Sequence, residues 1–220
     1  MNQKDSPMRP PPGRQQLSRE FISRFQRERI VSALAEETMV KGYQAVTVAD
    51  IVRRAGIARN TFYENFSSKE ACFLAAQDYA AEEAFRRVVE AAAEIESWQG
   101  RVDAGLTAFL AAVAEEPELA RICFVEAHSA GAAAKQRYEE SLQTFFPLFK
   151  VGRKVSPHGE KLPETLEESV VGGVYWIIYN RIVEGKTEEL ESLRGELVEF
   201  SLTPYIGAKA AKKVASGTKK

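Results

Sequence analysis

The chain has 220 residues, 45% of them apolar and 28% charged, the balance of a soluble globular protein built as one domain or as a small domain joined to a larger one. Its net charge of −1 is an average over unlike parts: residues 1–70 carry 12 basic and 8 acidic side chains, residues 71–208 carry 13 and 23, and residues 209–220 carry five lysines and no acid. That segregation excludes a polyanion partner for the body of the chain and points one at the N-terminal part.

Residues 1–16 are rich in Pro, Gln and Arg, and Pro10-Pro11-Pro12-Gly13 cannot continue a helix, so a flexible basic arm is expected there. It contains no apolar h-region, so no signal peptide is predicted and the cytoplasm is the expected compartment. From Leu17 onward the apolar spacing is helical and no strand-like alternation occurs, which predicts an all-α chain of about nine helices. A first helix is expected from Ser18 to Lys41, closed by Gly42. Thr47 opens a short helix with Asp50 in a capping-box position, Ala55-Gly56-Ile57 makes a turn, and a second short helix runs from Ala58 to Asn65. Ser67 with Glu70 reads as another capping box, opening a long helix to Ser97.

Further breaks are expected at Glu116-Pro117, at Ala130-Gly131 and across Gly152 to Pro163, the last a true loop. Helices Glu164–Glu184 and Thr187–Tyr205 follow, split at Gly185, and residues 207–220 read as a flexible Lys-rich tail. The longest apolar run, Val170 to Tyr179, is shorter than the ~20 residues a bilayer span needs. Cys72 and Cys123 stand far apart with no CxxC spacing, so neither a disulfide framework nor a metal site is expected, and no cofactor. Both read as small buried hydrophobes.

Two short helices joined by a glycine turn, over residues 47–66, form a helix-turn-helix if their outer faces suit DNA. Val48, Ile51 and Val52 give the first an apolar inner face, which Ile57, Phe62 and Phe66 continue across the turn. On the second, Arg59 and Tyr63 share an outward face, with Asn60 and Thr61 beside them. Arg suits guanine, Asn adenine, and Thr a thymine methyl, while the Tyr63 hydroxyl and Lys69 ammonium suit phosphates. The amides at Ser67–Lys69 offer a further anion position. Helix pairs of this kind also occur in proteins that never meet DNA, and spacing alone leaves both readings open.

The stretch RERIVSALAEETMVKGYQAVTVADIVRRAGIARNTFYENFSSKEACFLAAQD, Arg27 to Asp78, resembles the N-terminal domain of TetR-type transcription regulators. The resemblance rests on Gly42-Tyr43, Thr47-Val48, Asp50-Ile51, Ala55-Gly56-Ile57, Thr61-Phe62-Tyr63, Phe66 and Ser68-Lys69-Glu70. It implies a three-helix DNA-binding domain over residues 17–70 and a helical effector-binding and dimerisation domain over residues 71–206. By position it implies DNA contacts from Thr47, Arg59, Asn60, Thr61, Tyr63 and Lys69, to double-stranded operator DNA of palindromic form. The chain departs from the family pattern at Ala58, where Ser or Thr is usual, at Asn60, where Gly or Ala is common, and at Glu37-Thr38, where Leu-Phe is usual.

In the C-terminal body, Val170-Val171-Gly172-Gly173-Val174-Tyr175-Trp176-Ile177-Ile178 is apolar around most of a helix, which calls for burial on all sides. Each mid-helix glycine costs roughly 0.5–1 kcal/mol relative to Ala, so a close helix approach explains the pair. Leu190, Leu193, Leu197 and Phe200 stripe the last helix. The resemblance implies that these two helices pair with a two-fold mate, through Gly172, Gly173, Trp176, Ile177, Leu193, Leu197 and Phe200; the other reading is packing within one chain. Phe109, Phe124, Tyr138, Phe145, Trp176 and Tyr179, with Glu126 and His128 as polar anchors, either line an effector pocket for an apolar or aromatic ligand or belong to the core. The expectation is a homodimeric, sequence-specific DNA-binding repressor released by a small-molecule effector, with the same fold acting without ligand, through a protein partner, as the alternative. No nucleophile–base pair, metal spacing or phosphate loop speaks for an enzyme.

Overall fold

The computed structural model describes residues 19–217, and side chains from residue 24. The arm expected over residues 1–16 lies outside the described residues. Helix α1 (Arg19–Lys41) is followed by a 3₁₀ turn, Tyr43–Ala45, and the short helices α2 (Val48–Ala55) and α3 (Arg59–Asn65). Thr47 caps α2 with a complete capping box: its hydroxyl accepts the Asp50 amide and the Asp50 carboxylate accepts the Thr47 amide. Gly56 ends α2 in the left-handed region (φ 61°), which a side chain would strain, and this turns the chain into α3.

The long helix α4 (Lys69–Ala92) is capped by Ser68, not by the Ser67–Glu70 box expected, because it is the Ser68 hydroxyl that accepts the Ala71 amide. It stops at Ala92, short of Ser97, because Ser97 caps the next helix, α5 (Trp98–Glu115), which packs along α4. Pro117 opens α6 (Pro117–Phe124), as the Glu116-Pro117 break predicts. A 3₁₀ turn, Glu126–His128, leads past Gly131 into α7 (Ala132–Lys150).

The segment expected as a loop over Gly152 to Pro163 instead contains α8 (Gly152–Val155) and a 3₁₀ turn, Gly159–Lys161. The Arg153 guanidinium organises it, donating to both Glu167 carboxylate oxygens (2.8 and 2.9 Å) and to the Leu162 carbonyl at 3.0 Å. Helix α9 (Leu166–Val183) follows as expected. The helix expected over Thr187–Tyr205 is divided into a 3₁₀ helix, Thr187–Leu193, and α10 (Arg194–Ile206). Thr187, Leu190 and Leu193 repeat every third residue, and three residues per turn is the pitch that aligns them on the core. The tail is not all flexible: α11 (Ala208–Ala215) folds against α10, with Ala211 fully buried and Val214 and Ala215 on the core while its lysines face solvent. No helix among the described residues is long and apolar enough to cross a membrane.

Two cores result. The first joins Ile30, Leu34, Tyr43, Ile51, Phe62, Phe66 and Phe73, but also takes Leu119, Ile122 and Ala134 from α6 and α7. The second runs from Val88 through α5 and α9 to α10 and α11. The boundary expected at residue 70/71 therefore falls inside continuous packing, with α4 contributing to both cores. Glu37 and Thr38, the departures near the end of α1, are buried. Glu37 bridges Arg54 of α2 at 2.7 Å and Lys41 at 3.2 Å, an ion-pair cluster where α1 meets α2.

Candidate nucleic-acid interface and effector cavity

Helix α3 is fixed from behind. Phe62 is fully buried, and its ring meets Phe66 at 6.0 Å. Two α1 side chains that the sequence did not single out hold the helix-turn-helix ends: Arg27 donates to the Asn65 carbonyl at 2.6 Å and lies 4.3 Å over the Phe66 ring, and Arg29 donates to the Ala55 carbonyl. Each neutralises the negative end of a helix dipole. The opposite face is open. Arg59, Asn60 and Tyr63 are exposed and Thr61 partly so, with the Arg59 guanidinium 5.7 Å from the Tyr63 ring centre. Thr47 is exposed at the start of α2, within the same short segment.

Lys69 departs from expectation. Its ammonium donates to the Tyr43 carbonyl at 2.9 Å and the Val46 carbonyl at 2.8 Å, and lies 4.1 Å over the Tyr43 ring. Burial lowers its pKa. In this structure it braces the turn before α2, which leads to Thr47, and does not project outward.

The face expected to pair two copies is in large part exposed. Trp176 is 63% exposed and Phe200 45%, and Gly172 has open space where a Cβ would stand. A Cβ on Gly173 would come within 2.8 Å of the Phe200 ring, which gives this glycine its packing reason. Leu197 does not belong to that face: it is buried within the chain, and Ile177 and Leu193 pack partly against the same core. An i, i+3, i+4 stripe cannot tell the two burial modes apart.

Of the side chains expected at a pocket, Phe109, Phe124, Tyr138 and Phe145 line one cavity of about 290 Å³ among α4 to α7 and α9. Phe109 and Phe145, with Tyr175, also border a second, apolar cavity of about 150 Å³ that reaches Trp98 and Phe149. The Phe109 and Phe145 rings meet edge to face at 5.2 Å, and Phe124 stacks on Tyr175 at 4.1 Å. Tyr175 escaped notice because it sits in a stretch apolar all round, where periodicity marks no face. Gln77, Asp78 and Arg87 also line the larger cavity, and no sequence pattern announces them.

Trp176 and Tyr179 stack on each other at 5.5 Å and line neither cavity. His128 is exposed, against Tyr138, and is no pocket anchor. Glu126 is buried but engaged elsewhere: it accepts the Tyr43 amide at 3.1 Å and the Arg121 Nε–H at 3.1 Å. The bond from the Tyr43 amide ties the 3₁₀ turn after α6 to the turn before α2. Burial pushes the Cys72 and Cys123 thiols up to about 12, which keeps both protonated.

Residues 30–76 match the sequence profile described as bacterial regulatory proteins, tetR family. The same region is 43% identical over 47 residues to an uncharacterized HTH-type transcriptional regulator, YdgC, of Bacillus subtilis (strain 168). That match covers 21% of this chain and 24% of the relative. The fold extends further. The fatty acid degradation regulator FadR of Bacillus halodurans superposes with a TM-score of 0.72 at 16% identity, over 81% of this chain and 94% of that one. FadR of Bacillus subtilis, solved in complex with stearoyl-CoA, gives 0.64 at 16% identity over 80% and 98%. A tetR-family regulatory protein from Rhodococcus RHA1 gives 0.69 at 16% over 83% and 98%.

Proposed function

We propose, from the match of residues 30–76 to the tetR-family profile, that the chain is a TetR-type regulator: a cytoplasmic, homodimeric, sequence-specific DNA-binding repressor released from its operator by a small apolar or aromatic effector. The observation that carries this reading is α3: a helix locked on its inner side by Phe62 that offers Arg59, Asn60, Thr61 and Tyr63 outward. Arg59 would read guanine and Asn60 adenine in the major groove, with Thr47 and Tyr63 on phosphates. Two copies paired through Gly172, Gly173, Trp176 and Phe200 would present two such helices to a palindrome.

The cavity supports the effector half. Phe124 lines it, and Glu126, two residues on, holds the turn before α2. A ligand that displaces Phe124 would shift that turn and change the spacing of the two reading helices. Ligand and operator then weaken each other's binding by the same factor. The stearoyl-CoA complex of the Bacillus subtilis neighbour supports a ligand with an apolar body. An open cavity favours this reading over a ligand-independent module. The test is a thermal-shift screen of the full chain with diverse apolar compounds, each hit then tried against an operator complex. Hits that raise Tm and release the DNA support the proposal; hits that leave the complex intact contradict it.

A further inference from the structure

The charges around the larger cavity are unbalanced. Asp78, Glu82, Glu83, Glu116 and Glu140 line it, against two cations, Arg87 and Arg137. Both guanidiniums are already engaged. Arg87 is held by Glu83 at 2.8 Å and by Glu115, and Arg137 by Asp78 at 2.7 Å. Among the described residues neither Glu82 nor Glu116 has an ion-pair partner. Glu116 pays for this by desolvation: burial raises its pKa, with Glu83, Glu115 and Glu118 pushing the same way against Arg87.

A second, independent observation lies in the lining of the same cavity. Gln77 is 4% exposed and borders the cavity. Its amide nitrogen donates to the Ala134 carbonyl at 3.3 Å, which fixes the amide's orientation, and its Oε1 is a buried acceptor without a hydrogen-bond partner. A buried acceptor left unmatched calls for a donor. The lining also carries Phe85, Phe109, Phe124, Tyr138, Phe145 and Tyr175, and aromatic faces attract cations.

We infer that the effector is a lipophilic cation bearing an N–H donor, an ammonium or amidinium on an apolar or aromatic body, whose charged end lies toward Glu116 and Gln77. This deepens the effector reading above and rests on it. An anionic acyl ligand would bring like charge to a wall whose arginines are engaged. The apolar body points past Phe109 and Phe145 toward the second cavity, whose one charged side chain, Arg101, is bound to the Ile95 carbonyl.

The experiment is calorimetric titration of the dialysed full-length chain with three probes of equal length, decylammonium, decanol and decanoate, below their micelle concentrations. Decylammonium is expected to bind at least tenfold more tightly than decanoate, with decanol between. Glu116→Gln and Gln77→Leu should each weaken decylammonium severalfold and leave decanol unchanged; Glu82→Gln, at a less buried position, gives a second carboxylate variant should Glu116→Gln not fold. Decanoate binding as tightly as decylammonium, or a preference untouched by the variants, overturns the assignment. Mobility shift on the same preparations separates the two claims. Decylammonium that binds without releasing the duplex sinks the effector role and leaves the cation site standing. Decanoate that binds better and releases it sinks only the cation site. No binding by any probe overturns both.

Discussion

The Glu126 carboxylate accepts the backbone amide of Tyr43 across 83 residues of chain, at 3.1 Å, and so ties the end of α6 to the turn that delivers Thr47. Glu126 is 7% exposed, and its carboxylate also pairs with Arg121. Truncating it leaves a buried amide and a guanidinium unmatched, which costs about 2 kcal/mol. Glu126→Ala should therefore lower Tm by roughly 4–8 °C in a chain of this size. It should also weaken the response of operator binding to ligand more than operator binding itself. Thermal unfolding and anisotropy with and without ligand check both, and an unchanged response removes Glu126 from the coupling route.

Arg59→Ala and Lys69→Ala separate reading from bracing. Arg59 is exposed and its loss should leave Tm unchanged while costing about 1–3 kcal/mol of operator affinity and relaxing specificity at one base pair. Lys69 holds two carbonyls, so its loss should lower Tm first and weaken all DNA sequences alike. Competition binding against single-base operator variants distinguishes them; a specificity change at Lys69 would contradict its bracing role.

Trp176→Ala tests the α9–α10 face. The residue is exposed in the single chain, so its removal should not destabilise the fold. At the centre of a dimer it would cost about 2 kcal/mol or more, roughly thirtyfold in dimer Kd. Gly172→Ala adds a sharper contrast. On a solvated helix it stabilises by about 0.5–1 kcal/mol, whereas against a closely packed mate it weakens the dimer. Sedimentation across a concentration series reads both, and unchanged association in both variants would place the dimer elsewhere.

Acid should destabilise the chain through its paired carboxylates. The Lys41 ammonium, first, and the Thr47 hydroxyl and amide hold Asp50 well below the usual carboxylate range; Arg54 lowers Glu37; and Arg86 with Arg87 holds Glu83 at about 2. A depressed folded pKa contributes stability that is complete above the unfolded value of about 4 and is lost as pH falls toward the folded one. The urea midpoint should thus fall between about pH 4.5 and 2. Asp50→Asn should lower the midpoint at pH 7 and make that fall shallower. Equal slopes would show that the Thr47–Asp50–Lys41 cluster carries no such linkage.

The helix-turn-helix was legible because its signals are local: a capping box at Thr47, a left-handed glycine at 56, and apolar spacing that buries Ile51 and Phe62. What escaped was tertiary. Lys69 has the composition of a phosphate ligand, but the carbonyls of Tyr43 and Val46 reach it first. Glu126 sits among apolar residues like a pocket anchor, yet its partner lies in another part of the chain. Gln77 shows no pattern at all, because an orphaned acceptor exists only once Ala134 has claimed the other end of the amide. The tail was misread for the opposite reason: lysines mask an Ala211 face that folds on α10.

The most direct test of the account is mobility shift of the full-length chain against the DNA flanking its own gene at physiological salt. The account predicts a saturable complex of one dimer on one palindromic site, resistant to random competitor DNA and weakened in Arg59→Ala by about 1–3 kcal/mol. Binding that is blind to sequence, displaced equally by any duplex and unaffected by Arg59→Ala, would contradict it.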